Sequence, residues 1–115
     1  TEILVAHTPL YTGKVLRRIA SGVRGGLQYH RQKDETFPLF SGTVDVYYVD
    51  AVGTLRVVRM GPGESYHVPP GAIHSVQTIS DESVMFEASN AVFDDRVRVE
   101  DDYRIEEAIR YEGLS

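Results

Sequence analysis

No cysteine and no tryptophan occur among the 115 residues. Without thiols there is no disulfide framework, no thiolate metal site and no cysteine nucleophile, and a reducing, cytoplasmic setting is the expectation. Long apolar runs are missing as well: none approaches the roughly 18 residues that a membrane helix needs, so no membrane partner is expected. The stretch Thr1 to Leu10 lacks the basic-then-apolar layout of a secretory signal. A basic excess is also lacking. Twelve lysines and arginines stand against 17 acids, net −5, which argues against nucleic acid as a partner. What is present, 42% hydrophobic and 25% charged, is the profile of one globular domain over residues 1–115.

The charge is unevenly spread. Between Ile3 and Lys33 there are six basic residues and no acid, whereas between Asp94 and Glu107 there are seven acids and three arginines. Two complementary surfaces that pair within the chain or across a dimer explain this. The alternative is a basic N-terminal half that attracts an anionic small molecule.

Strand patterns dominate. Lys14–Ala20, Gly26–Gln32, Val44–Asp50, Thr54–Arg59, Ser65–Val68, Ala72–Thr78 and Ser83–Ala88 are short, β-branched or aromatic, and partly alternating. Gly-Gly at 25–26, Ser-Gly at 41–42, Val-Gly at 52–53, Gly-Pro-Gly at 61–63 and Pro-Pro-Gly at 69–71 punctuate them. Turns at this density mark an all-β sandwich or barrel. Only Arg104–Leu114 reads as a helix, with Ile105, Ala108 and Ile109 on one face.

Two spaced blocks carry the chemistry. The first runs Gly22, five residues, Gln28, one residue, His30, four residues, Glu35, six residues, Gly42. The second runs Gly63, five residues, Pro69, one residue, Gly71, two residues, His74. Together they resemble the two motifs of the cupin superfamily, with Gln28 where a first histidine is usual and Thr78 in place of a closing asparagine. That resemblance implies a jelly-roll β-barrel, core within residues 14–93, here followed by a short C-terminal helix. The segments around Leu27–His30, Ser41–Thr43, Phe86-Glu87 and Phe93–Arg104 are similar to the cupin half of the two-domain mannose-6-phosphate isomerase/mannose-1-phosphate guanylyltransferase enzymes. The Gln-x-His…Glu…His set also matches the zinc ligands of the phosphomannose isomerases. Departures are Thr36-Phe37 where those domains carry His-Trp, and Lys33 where they carry Arg.

Strand geometry supports the grouping. Residues i and i+2 share a face, so Gln28 and His30 project together. Glu35 opens the next strand after a short turn, and His74 follows the Pro-x-Gly turn. Gln28, His30, Glu35 and His74 are therefore the candidate metal ligands. Two imidazoles, a carboxylate and an amide oxygen suit Zn²⁺, Mn²⁺, Fe²⁺ or Ni²⁺, with zinc slightly favoured. The bland alternative makes both histidines satisfied interior residues and Glu35 a surface carboxylate.

Glu87 and His67 are the candidate proton carriers. Glu87 faces the cavity if Phe86 faces outward, and His67 sits just before Pro69 at the barrel mouth. Lys33, Arg17 and Arg59 are candidate phosphate contacts that read more simply as solvated strand residues. Arg98 and Arg104 serve equally well as ion-pair partners for the acidic tail. The expected function is a metal-dependent sugar or sugar-phosphate isomerase or epimerase, with a small-molecule substrate, an anionic sugar being the candidate, in a homodimer. A mononuclear non-haem iron dioxygenase and a non-catalytic small-molecule-binding cupin are the alternatives.

Overall fold

Alternating side chains decide how this chain layers. The computed structural model describes residues 1–92 and 95–111, and among them it forms β1 (Glu2–His7), β2 (Tyr11–Arg18), β3 (Gln28–His30), β4 (Glu35–Ser41), β5 (Val44–Val49), β6 (Leu55–Met60), β7 (Ser65–Val68), β8 (His74–Thr78), β9 (Ser83–Asn90), β10 (Arg96–Arg98) and β11 (Ile109–Arg110). They build two facing sheets, ordered β1-β2-β9-β4-β7 and β10-β3-β8-β5-β6-β11. Every pairing is antiparallel except β11 on β6. The expected all-β jelly roll is thus present. No helix among the described residues is long and apolar enough to cross a membrane.

Period-two patterning sends one set of residues between the sheets. On β4, Glu35, Phe37 and Leu39 are buried, and on β9 so are Ser83, Met85, Glu87 and Ser89. Phe37, Leu39, Val44, Val46, Met60, Val68 and Met85 form the apolar core. The same strands carry their polar inward residues toward the other end of the barrel, so one end is packed with hydrocarbon and the other is lined with charge.

Two glycines make turns that a side chain would spoil. Gly42, between β4 and β5, has φ 88°, and a Cβ there would press on the Glu82 carbonyl oxygen and lie 2.9 Å from Ser83 Cα. Gly71, with φ 86°, closes the turn before β8, and its N–H donates to the His30 carbonyl at 2.8 Å. That bond ties the entry of the His74 strand to the end of the His30 strand.

The helix expected over Arg104–Leu114 is a correction. The chain makes two 3-10 turns, Glu100–Asp102 and Ile105–Glu107, and then enters β11, where Tyr111 N–H donates to the Val57 carbonyl. Residues 112–114 of that segment lie outside the described residues, as do Phe93 and Asp94. Three apolar positions do not offset the cost of helix nucleation, while the open edge of β6 offers backbone partners.

Candidate metal site and its cavity

The polar end of the barrel encloses a cavity of about 350 Å³ between the sheets. Gln28, His30, Glu35, His74 and Glu87 all line it. One donor atom each from His30, Glu35 and His74 lie within 4.8 Å of one another, and all three residues are buried. His30 Nε2 stands 3.0 Å from Glu35 Oε1, and His74 Nε2 stands 3.5 Å from the same oxygen.

The outer nitrogen of each ring is already committed. His30 Nδ1 lies 3.0 Å from Asp95 Oδ1, and His74 Nδ1 lies 3.0 Å from the Ala72 carbonyl oxygen. Carboxylate and carbonyl oxygens only accept, so both Nδ1 atoms carry the proton. Each Nε2 then turns a lone pair toward Glu35, unless a second proton charges the ring. Three electron-rich atoms in this arrangement repel one another without a cation among them. The donor chemistry therefore fits a divalent ion, and the carboxylate behind His30 is the kind of outer partner that fixes a ligand's tautomer and orientation.

Asp95 is itself held. Its Oδ2 accepts from the Gln32 and Lys33 backbone N–H groups at 2.6 and 2.9 Å. Burial works against its charge, but those two donors and His30 outweigh it, and the carboxyl sits below its ordinary value. Glu35 follows the same logic. Burial pushes its carboxyl up, while a proton on His74 Nε2, when that ring is charged, and the Lys33 ammonium hold it low.

Gln28 sits two residues before His30 and directly opposite His74 across the β3–β8 pair. Strand alternation thus puts Gln28, His30 and His74 on one wall, and β4 brings Glu35 from the facing wall. Glu87 also points inward, 5% exposed, with Phe86 turned outward 6.3 Å from the Phe40 ring. The face expected for Glu87 is the observed one.

His67 does not join this group. It pairs with Thr36 on the outer side of β4, its side chain is 58% exposed, and its Nε2 lies 2.7 Å from Asp34 Oδ1. The proton-carrier expectation for His67 is therefore corrected: alternation from buried Val68 turns it to solvent.

Two residues here have roles that the sequence did not show. Lys33, a candidate phosphate contact that reads more simply as a solvated residue, is 9% exposed, with Nζ 3.0 Å from Glu87 Oε2 and 3.4 Å from Glu35 Oε2. Burial opposes its charge, but the Glu87 hydrogen bond and the fields of both carboxylates raise its pKa. Asp95 is the second. Its only sequence signal was the acidic stretch that the family resemblance covered. The mixed-charge C-terminal region also pairs within the chain: Arg24 Nη1 and Nη2 each donate to Glu100, at 2.9 and 2.8 Å, while Leu27 N–H donates to the same carboxylate at 2.8 Å.

Residues 15–89 match the family described as the cupin domain. Among solved structures, the chain is similar to KdgF from Halomonas sp., at TM-score 0.70 and 22% identity, covering 82% of this chain and 80% of that one. It is similar to an uncharacterized conserved protein with a double-stranded β-helix domain from Klebsiella pneumoniae, at TM-score 0.71 and 14% identity over 84% and 76% of the two chains. A variant oxalate decarboxylase from B. subtilis aligns at TM-score 0.70 and 19% identity, over 80% of this chain but 25% of that one. No curated protein matches the chain significantly. Likenesses at these identities speak for the fold.

Proposed function

Because this chain belongs to the cupin family, we propose that it is a metal-dependent enzyme that moves a proton beside a carbonyl, as in isomerisation or epimerisation of a sugar or sugar phosphate. The observation that carries the reading is a buried acid, Glu87, in the same cavity as the His30–Glu35–His74 cluster but outside it. His30, Glu35 and His74 would hold the ion, with Gln28 as the fourth donor, and the amide-containing set favours zinc. When bound, the ion supplies Lewis-acid polarisation of a substrate carbonyl and its neighbouring hydroxyl. Glu87 takes up and returns the proton at the adjacent carbon. Lys33 fixes the Glu87 carboxylate through the 3.0 Å contact and balances two buried acids with one ammonium. A second copy completes the proposal. The edge strand β1 exposes Ile3, Leu4 and Val5 on both of its faces, each more than half exposed, and pairing there would cover them in a homodimer.

The test is metal-loaded protein incubated under nitrogen in D₂O with aldose and ketose phosphates, including mannose 6-phosphate. Deuterium should enter the substrate as the isomers interconvert. Glu87→Gln should slow this by about 10²-fold with metal content unchanged, the usual size of a lost general base. Stoichiometric O₂ uptake by an Fe²⁺-loaded sample, with no exchange under nitrogen, would replace the isomerase by a dioxygenase.

A further inference from the structure

The cavity has a second chemical feature, away from the donor cluster. Cationic side chains outnumber carboxylates in its wall, although the whole chain carries a net −5. Lys33 is accounted for by Glu35 and Glu87. Two arginines are not, and a third is only partly so. Arg96 and Arg98 stand two apart on β10 and so share a face. Arg96 is directly opposite His30, and Arg98 directly opposite Gln28, which places both guanidinium groups on the wall that carries the candidate ligands. Both line the cavity, both are exposed, and neither side chain has an ion pair or hydrogen bond among the described residues. Arg18 reaches the same cavity from the facing sheet. Its Nη1 donates to the Val76 carbonyl at 2.9 Å, and the Glu2 carboxylate, which lines the same cavity, acts on its charge without a hydrogen bond among the described residues.

This is unusual for the chain. Arg17, Arg24, Arg56, Arg59 and Arg110 each meet a carboxylate within 3.0 Å. Of the arginines without such a contact among the described residues, Arg18, Arg96 and Arg98 line this cavity, whereas Arg31 and Arg104 lie outside it. A guanidinium presents a planar fork of donors that matches a carboxylate or phosphate, and three such forks line this one cavity.

We propose that Arg96 and Arg98, joined across the cavity by Arg18, form an oxyanion clamp that selects the substrate of this site. The reading rests on the cavity being the substrate site. The ligand is then a short bifunctional molecule. Its oxygen-bearing head reaches the His30–Glu35–His74 cluster, and its carboxylate or phosphate tail lies on the arginines. Phosphate and carboxylate share this chemistry, and the two probes below separate them.

The experiment is calorimetric titration of the full chain with malonate and, separately, with inorganic phosphate, after chelation of metal and again with zinc added. Wild type should bind at least one anion in both states, more weakly as salt rises. The tighter probe identifies the tail. The double variant R96Q/R98Q should lose roughly tenfold or more in affinity, since two charged hydrogen-bonding groups are removed. R98K, which keeps the charge and loses the fork, should fall between. His74→Ala should abolish the difference in anion affinity between the chelated and the zinc-loaded protein. Because the two arginines make no contact that folding uses, the variants should melt with wild type. Equal affinity in R96Q/R98Q and wild type would overturn the clamp. So would loss of anion binding in His74→Ala with retention in R96Q/R98Q, which would put the anion on the metal. Metal binding that survives His74→Ala would overturn the metal assignment while leaving the clamp standing.

Discussion

Replacing Asp95 by asparagine should damage metal binding more than deleting its side chain does. The reason lies in how the carboxylate divides its oxygens. Oδ2 accepts from the Gln32 and Lys33 backbone N–H groups, and Oδ1 accepts from His30 Nδ1. Asparagine has one oxygen. Two fixed backbone donors claim it, so the amide NH₂ turns toward His30. Two donors would then face each other, and the imidazole escapes by moving its proton to Nε2. That is the nitrogen whose lone pair faces Glu35 Oε1 at 3.0 Å. In Asp95→Ala a water can take the Nδ1 proton, and the useful tautomer survives. Loss of such an outer partner costs about 10–100-fold in metal affinity, or about 1.4–2.8 kcal/mol. D95N belongs at the upper end of that range and D95A at the lower. The assay is zinc competition against a chromogenic chelator at fixed pH. A parallel melt with and without zinc should show the metal-dependent rise in Tm shrinking in the same order. Wild-type affinity in D95N would refute the tautomer argument, and D95A binding more weakly than D95N would refute its ranking.

Asp45 supplies a pH prediction. Burial raises its carboxyl, but hydrogen bonds from Arg110 and Arg59 dominate and hold it below its ordinary 3.8. A carboxyl lowered on folding stabilises the protein above its unfolded pKa and loses that contribution as pH falls through the folded value. Acid melts of wild type and Asp45→Asn should therefore differ by about 1–2 kcal/mol at neutral pH, with both arginines still hydrated, and converge below pH 3.8. Gly42→Ala should cost more than about 1 kcal/mol in denaturant unfolding, because φ is 88° and the added methyl meets backbone. Gln28→His should retain or tighten zinc by the same competition assay, since imidazole is the better donor. Loss of zinc there would mean that position 28 does not contribute a donor.

Strand alternation and block spacing made much of the site readable in advance. Gln28 and His30 share a face because they are two apart, and Glu87 points inward because Phe86 does not; both follow from period two alone. Glu35 and His74 sit beside them through the turns at 31–34 and 69–73, of which only the second is marked by proline and glycine in the sequence. Lys33 was not readable. A lysine in a β3–β4 turn looks solvated until Glu35 and Glu87, 52 residues apart in sequence, close over it. Asp95 is separated from His30 by 65 residues, and no local pattern records a contact of that range. His67 misled for the opposite reason. Proximity to Pro69 suggested the barrel mouth, but the β4–β7 register places it opposite Thr36 on the outside. At the C-terminus, helical spacing of three apolar residues competed with an open sheet edge, and the edge won.

The buried charges at this end of the barrel form one connected set. Asp95 holds His30, His30 and His74 face Glu35, and Lys33 joins Glu35 to Glu87. Among the described residues, no buried side-chain nitrogen or oxygen lacks a hydrogen-bond partner. Such a set is tolerated in low dielectric only while it is complete, because removing one member leaves another charged and unpaired. An apolar end, with Leu39, Val44, Val46 and Val68 essentially inaccessible, supplies the burial that folding needs. The polar end can then be kept for chemistry. Arg96 and Arg98 fall outside the connected set, on a short strand at the sheet edge. Their substitution should change what the cavity holds without unbalancing its interior, whereas substitution of Lys33 should do both.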